Sequence, residues 1–140
     1  MQNNLEKAKA LLESGGCTLA LFRGDECVTS SERGIKALLR LYRGGQDFSS
    51  FSAADRVVGK AAAFLYVLLG IREVYAPVIS EGALAVLEEY GIQATYDTCV
   101  KVIMNRAGTG LCPMEQAVLE IAEPKAALAA VTERLQQLKG

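Results

Sequence analysis

Hydrophobic residues recur every three to four positions in some segments of this chain and form short continuous runs in others, a pattern typical of alternating helices and strands. Two glycine pairs, Gly15-Gly16 and Gly44-Gly45, end helical segments. The turn residues Gly24-Asp25 separate two apolar runs, as in a β-hairpin. The first third of the chain therefore has these predicted elements: a helix at 4–14, hairpin strands at 17–23 and 26–30, and a helix at 33–43.

The most apolar segment lies in the middle of the chain, from Ala53 to Leu69. It is apolar nearly all round at helical spacing, which predicts one long helix at the centre of the fold. A strand–helix–strand succession follows, and its two strands must be parallel with a right-handed crossover. The segment 98–104 fits either a short strand or a helical turn, and 105–113 is predicted to be a loop. The other predicted elements are a strand at 71–79, a helix at 80–90, a strand at 92–97, and helices at 113–122 and 125–139 separated by Pro124.

This order of elements predicts an α/β fold in which a mixed sheet carries helices on both faces. With 140 residues the chain is expected to form a single domain, spanning 1–140. A chain of this length buries enough surface to hold a core together without disulfides or metals.

Composition narrows the classes of partner. The formal net charge is -1, with 15 basic and 16 acidic residues and no basic tract, so binding to a nucleic acid polymer is not expected. The longest apolar run, 61–70, is too short to span a bilayer, and the N-terminal segment lacks the apolar core of a signal peptide. The four cysteines form no C-x-x-C pair. We therefore expect a cytoplasmic protein with reduced thiols and no membrane contact.

Two segments, "FSAADRVVGKAAA" at 51–63 and "VISEGALAVLEEYG" at 78–91, resemble the central helix starts of the cytidine-deaminase fold. In that fold one helix begins with His-x-Glu or Cys-x-Glu and the next with Pro-Cys-x-x-Cys, and three ligands hold zinc. The resemblance implies a three-layer α/β/α domain. This chain has no histidine, and Ser80 and Ala83 stand near the positions of the two expected cysteines. Without those ligands we expect no metal site and no cofactor.

The chain resembles more closely a small bacterial and archaeal family of unknown function that has the deaminase-like fold without the metal. The resemblance covers nearly the full length and departs at Ala37, where relatives often have proline. It implies a homodimer or larger assembly, since this fold commonly associates through its helices. The segments that carry it are "ERGIKALL", "FSAADRVVGKAAAFLYVLLG", "EVYAPVIS" and "NRAGTGLCPMEQAV".

Candidate chemistry begins at the predicted start of the long helix. The sequence from Ser52 to Asp55 is Ser-x-x-Asp, a variant of the capping box, so Asp55 either caps this helix or lines the pocket where the resemblance places the metal. Lys60 follows Gly59 and precedes an apolar run. It is a candidate for binding an anion, and the alternative is a buried ion pair. Gly59 would allow close approach of another helix or of a ligand.

A second group of candidates begins at Cys112, which precedes Pro113 at the predicted start of a helix. A thiol there faces the positive end of the helix, which favours the thiolate, so Cys112 is a candidate nucleophile. Glu115, in the first turn, and Asp55 are the candidate acid–base groups. The structural alternative is that Cys112 is a small buried hydrophobic residue, as free cysteines usually are.

The loop before that helix supplies the candidate ligand-binding residues. Its amides, Asn105, the fork-shaped donor of Arg106 and Gly110 are suited to a phosphate or carboxylate. The ordinary alternative is a turn that needs positive φ at Gly108 and Gly110. Arg33 is a further candidate that would reach the pocket from beyond the hairpin, or else is solvated.

These candidates lead to three hypotheses about function. The first is a zinc-free protein of deaminase-like fold that binds a small polar ligand, anionic or nucleotide-like, between Asp55, Lys60 and the later loop. The second is a metal-independent enzyme that uses Cys112 with a nearby carboxylate. The third is an interaction protein without a ligand.

Overall fold

The chain folds around a six-stranded mixed sheet with helices packed against it. The structure is a computed structural model, and it describes residues 3–32, 35–105 and 107–139. In chain order the elements are α1 (Asn4–Glu13), β1 (Leu19–Arg23), β2 (Glu26–Ser30), α2 (Ile35–Arg43), β3 (Ser52–Asp55), β4 (Val57–Val58), α3 (Lys60–Leu69), β5 (Glu73–Ser80), α4 (Glu81–Glu89), β6 (Gln93–Val100), α5 (Pro113–Val118) and α6 (Pro124–Lys139).

The sheet combines an antiparallel hairpin with a parallel half. β1 pairs antiparallel with β2 and β3, whereas β3, β4 and β6 all run parallel to β5. β3 and β4 keep one register along β5, and the break between them at Arg56 lies opposite Pro77. Proline has no N–H to donate to a ladder, so this position cannot be paired in the ordinary way. The ladder along β5 is therefore interrupted between β3 and β4, next to Asp55, which still pairs with Leu19 of β1.

Helices lie on both faces of the sheet, as the order of elements predicted. On one face α1 packs on a small cluster that includes Ala20, Ala54 and Tyr75. The other face carries the main core, in which Leu21 and Val74 pack with α3. Helix α3 is surrounded by α2, α4, α5 and α6, so it is the central helix of that layer. Its side-by-side packing with α4 was predicted and is confirmed.

The predicted helix from Ala53 to Leu69 is wrong in its first third. Ser52–Asp55 and Val57–Val58 are strands, and the helix begins at Lys60. The capping box at Ser52 is therefore wrong as well: the Ser52 hydroxyl donates to Glu73 Oε2 at 2.6 Å instead of capping a helix. A strand buried on both faces has no alternation of polar and apolar residues, so periodicity cannot distinguish it from a buried helix.

The remaining elements agree with the pattern apart from their ends. The ambiguous segment 98–104 continues β6 as far as Val100. Helix α4 begins after Ser80, whose hydroxyl accepts from the Ala83 N–H at 3.1 Å. Of the cysteines in strand-like contexts, which were expected in the core, Cys17 is buried, but Cys27 and Cys99 are exposed. Within the described residues, every helix is too short or too polar to cross a membrane.

Candidate functional site

A cavity of about 390 Å³ opens where the sheet is interrupted, beside the starts of α2, α3 and α5. Its size is at the lower end of the range for small-molecule sites. Apolar side chains from several elements form much of the wall: Leu19, Ile35, Ala62, Ile103 and Met114. The polar side chains around it are Thr18, Glu32, Asp55, Arg56, Cys112 and Glu115. The three residues predicted as catalytic, Asp55, Cys112 and Glu115, thus line one cavity.

Asp55 ends β3 at the break in the sheet, half-buried in the cavity wall. Its Oδ2 accepts a hydrogen bond from the Tyr66 hydroxyl at 2.7 Å. Burial raises the pKa of Asp55 to about 7, and hydrogen bonds from Tyr66 and from the main chain at Val57 and Arg56 offset this only in part. Asp55 can therefore exchange a proton near neutral pH.

Tyr66 is the residue that positions Asp55. It lies in the middle of α3 and is fully buried. Burial, together with the carboxyl group of Asp55, raises the pKa of the Tyr66 phenol, which therefore stays protonated as a donor. The sequence signal was available, because a tyrosine within an apolar helix needs a partner for its hydroxyl, but the partner could not be identified.

Glu115 caps helix α3 from another helix. Its two carboxylate oxygens accept from the main-chain N–H groups of Lys60 and Ala61, at 2.8 Å and 3.0 Å. Glu115 is only 8% exposed. The first turn of α3 lacks a side-chain cap of its own, since Gly59 is at the N-cap position. The carboxylate thus satisfies free N–H groups and lies at the positive end of the helix dipole.

Gly59 makes this cap possible. A Cβ atom at position 59 would lie 2.5 Å from Glu115 Oε1, closer than real atoms approach. The glycine was expected to allow close approach of another helix or of a ligand, and the group that approaches is the Glu115 carboxylate of α5.

Cys112 is the residue before α5 and is half-buried at the cavity. Its side chain makes no capping hydrogen bond to the helix. Helix α5 has only six residues, Pro113–Val118, so its dipole is short. The nearby Glu115 carboxylate is already bonded to α3.

Lys60 does not line this cavity. Its side chain runs along the other side of α5, where Nζ donates to the Leu119 carbonyl at 3.0 Å and lies 5.8 Å from the centre of the Phe64 ring. Lys60 lines a separate surface groove with Gly82. The first hypothesis placed Lys60 with Asp55 and the later loop around one ligand, whereas the described contacts direct the Lys60 side chain away from this cavity.

The described residues of the loop before α5 hydrogen-bond to one another. Asn105 Oδ1 accepts from the Thr109 N–H at 3.0 Å, and the Asn105 carbonyl accepts from the Gly108 N–H at 3.0 Å. Gly108 has a φ of 69°, as its turn requires, whereas Gly110 does not have the positive φ that was expected. Neither Asn105 nor Gly110 lines the cavity. Among the described residues just before them, Ile103 lines the cavity.

Two candidates, Arg33 and Arg106, lie outside the described residues. Conversely, sequence reasoning missed three polar residues of the lining: Thr18, Glu32 and Arg56. The Arg56 guanidinium donates through Nε and Nη2 to the Cys17 carbonyl, at 3.2 Å and 3.0 Å. The Thr18 hydroxyl is within hydrogen-bond distance of the Glu32 carbonyl, at 2.6 Å. These two contacts depend on how β1 packs beside the break between β3 and β4 at Arg56, and no local sequence pattern reveals that packing.

The lining does not form a metal site. Within 3–32, 35–105 and 107–139, no three residues among the histidines, cysteines, aspartates and glutamates are grouped closely enough to hold a metal ion.

Comparison with known proteins places the chain beside proteins of unknown function. A family model described as TM1506, a domain of unknown function (DUF1893), matches residues 7–135. A crystal structure of a DUF1893 family protein (TM1506) from Thermotoga maritima is similar at a TM-score of 0.85 and 28% sequence identity. That match covers 96% of this chain and 91% of the other. A search of the curated proteins found no match.

Proposed function

We propose that this chain, which belongs to the DUF1893 family of unknown function, binds a small polar organic ligand in the cavity beside Asp55. The observation that carries the proposal is the cavity itself. It has about 390 Å³ of space, apolar walls suited to a ring, and a half-buried carboxyl group whose pKa is shifted to about 7. Such a combination of apolar wall, few polar groups and a perturbed acid is typical of ligand sites.

A deaminase-like fold without zinc is part of this proposal. It is supported by a sheet in which a hairpin precedes parallel strands, and by the adjacent packing of α3 and α4. The resemblance puts zinc ligands at the starts of these two helices. Here the start of α3 is capped by Glu115 and the start of α4 by Ser80. The chain's own side chains thus fill the positions where the fold would hold a metal.

The lining does not favour the anionic ligand that the sequence suggested. The three described candidates for holding an anion, Lys60, Asn105 and Gly110, do not line the cavity. The helix start that would have attracted an anion is occupied by the Glu115 carboxylate. We therefore propose a ligand that donates hydrogen bonds to the cavity and does not itself carry a carboxylate or phosphate.

The enzyme hypothesis has weaker support. A nucleophilic Cys112 needs a base within hydrogen-bond reach. Glu115 and Asp55 were the candidate partners, but both oxygens of Glu115 accept main-chain N–H groups and Asp55 is bonded to Tyr66, so either carboxyl group would first have to give up an existing hydrogen bond. Binding without covalent chemistry requires no such rearrangement, and we place it first.

The test is a ligand screen by thermal unfolding, combined with a variant in which the cavity is filled. Ala62 lines the cavity and is 8% exposed, so Ala62→Phe puts a ring into the space. A ligand at a hundred times its Kd stabilises the folded state by about 2.7 kcal/mol, or on the order of 10 °C in Tm. We expect some compounds from a metabolite and fragment library to raise the Tm of the wild type and to leave the Tm of Ala62→Phe unchanged.

Two variants serve as controls. Ala129→Phe adds the same ring to an exposed position of α6 and should keep the response. Lys60→Ala should also keep it, because the Lys60 side chain lies outside the cavity. A library without a single hit that depends on Ala62 would contradict the proposal and favour an interaction protein.

A further inference from the structure

We infer that the ligand of this cavity is an organic cation or nitrogen base, whose protonated nitrogen pairs with Asp55. This inference rests on the proposed function and adds the charge of the ligand to it. The starting point is the imbalance of the charged lining: three side chains are carboxyl groups, from Glu32, Asp55 and Glu115, and one is a guanidinium, from Arg56.

Two of the three carboxyl groups have positive charge beside them, and the guanidinium is turned to a carbonyl. Glu115 accepts the two N–H groups at the start of α3. Glu32 forms an ion pair with Arg40 at 3.0 Å. The Arg56 guanidinium is turned to the Cys17 carbonyl, so it is not directed at the neighbouring carboxyl of Asp55.

In the described part of the chain, Asp55 differs from Glu32 and Glu115 in accepting neither from a cation nor from the N–H groups at a helix start. Its side chain accepts from the Tyr66 hydroxyl and from the main chain at Val57 and Arg56, which are neutral donors. Among the residues that the structure describes, no ion pair joins Asp55 to a cation. An ionised carboxylate in such surroundings is costly unless a cation compensates it, and a ligand can supply that cation.

The shape of the cavity limits the cation to a small organic one. Ile35, Ala62 and Met114 are apolar walls that suit a flat ring or a short aliphatic body. A hydrated inorganic ion would gain nothing from these walls, and the described residues do not gather the ligands that it would need. A protonated nitrogen on an apolar body satisfies both the carboxylate and the walls.

Three probes of nearly equal size and shape separate the charges: benzamidine as the cation, benzamide as the neutral form and benzoate as the anion. Their binding is measured by titration of amide signals in NMR spectra at about pH 8, where Asp55 is ionised. Ala62→Phe identifies the signals that report on the cavity. We expect the wild type to prefer benzamidine over benzamide by about tenfold or more, because charge-assisted hydrogen bonds are roughly twice as strong as neutral ones. Benzoate should bind weakest.

Two variants assign the preference to Asp55. In Asp55→Asn the ratio between benzamidine and benzamide should fall to about one, whereas in Asp47→Asn, which removes an exposed carboxylate elsewhere, the ratio should be unchanged. The comparison of the three probes on the wild type does not depend on any variant folding. Thermal unfolding shows whether Asp55→Asn is folded, so that its ratio between benzamidine and benzamide can be interpreted.

The outcomes that contradict the inference differ from those that contradict the proposed function. Preference of the cavity signals for benzamide or benzoate would overturn the cationic ligand and leave binding intact. Arg33 and Arg106 lie outside the described residues, so each is also replaced by alanine. If benzamidine binds only after one of them is removed, the chain supplies its own cation and the inference is wrong. If neither the probes nor the library bind at all, the proposed function fails as well.

Discussion

At the scale of single residues, the contact between Gly59 and Glu115 links two helices that are far apart in sequence. The glycine leaves the space that the carboxylate occupies, and the carboxylate caps Lys60 and Ala61 at the start of α3. Neither residue is replaceable alone, since a larger residue at 59 and a shorter one at 115 both leave buried N–H groups without an acceptor.

We therefore predict that Gly59→Ala and Glu115→Ala each lower the free energy of unfolding by about 1–3 kcal/mol, from overpacking in the first case and loss of the cap in the second. The double variant should cost less than the sum by about 1 kcal/mol or more, because the residues share one contact. Denaturant unfolding measures all three. Gly82→Ala is the control, since a Cβ there meets only Lys60 side-chain atoms at 3.6 Å or more. Strictly additive costs would contradict the prediction.

At the scale of elements, periodicity located the helices that have one solvent-exposed and one buried face, such as α1 and α2. The pattern also located the hairpin whose turn contains Gly24. It failed at 52–58, because the strands there belong to the sheet and their residues do not alternate between polar and apolar. Because the predicted helix began too early, the direction of the Lys60 side chain was also predicted wrongly. Asp55, Cys112 and Glu115 still line one cavity, although Asp55 ends a strand instead of lying in the first turn of a helix, and their catalytic role stays a prediction.

The edge strand β6 gives a prediction about assembly at the same scale. A homodimer stays a prediction. The resemblance implied association through helices, but the edge strand β6 is now the element that we expect to form it. It has eight residues with one charge, Asp97, its Tyr96 is 41% exposed, and in the described part of the chain it pairs with β5 alone. Long edge strands with few charges readily pair with a second copy.

Sedimentation velocity over a range of concentrations tests this pairing. We expect the wild type to associate and Thr98→Lys, in the exposed middle of β6, to shift it towards the monomer. Thr29→Lys is the matched control at the opposite edge of the sheet, on β2, and should not change the association. A wild type that remains monomeric throughout, or equal effects of both substitutions, would count against β6 as the interface.

At the scale of the whole molecule, one buried acid governs how stability depends on pH near neutrality. The chain has no histidine, so few other groups titrate between about pH 5.5 and 7.5. Burial raises the pKa of Asp55 from 3.8 to about 7 in the folded state. In this window the folded chain holds a proton that the unfolded chain has released, and stability must fall as pH rises.

We predict that the free energy of unfolding, from denaturant titrations, is highest at the acidic end of this window, declines up to about pH 7 and levels off above it. Asp55→Asn should remove the decline, because asparagine does not titrate. Asp47→Asn should retain it: a hydrogen bond from Ser49 lowers the pKa of Asp47, which therefore titrates below the window. Stability that rises with pH in the wild type, or a slope that persists in Asp55→Asn, would show that Asp55 is already ionised in the folded protein. The cavity would then hold a negative charge at the break in the sheet throughout this window, and a cation would have to accompany it there.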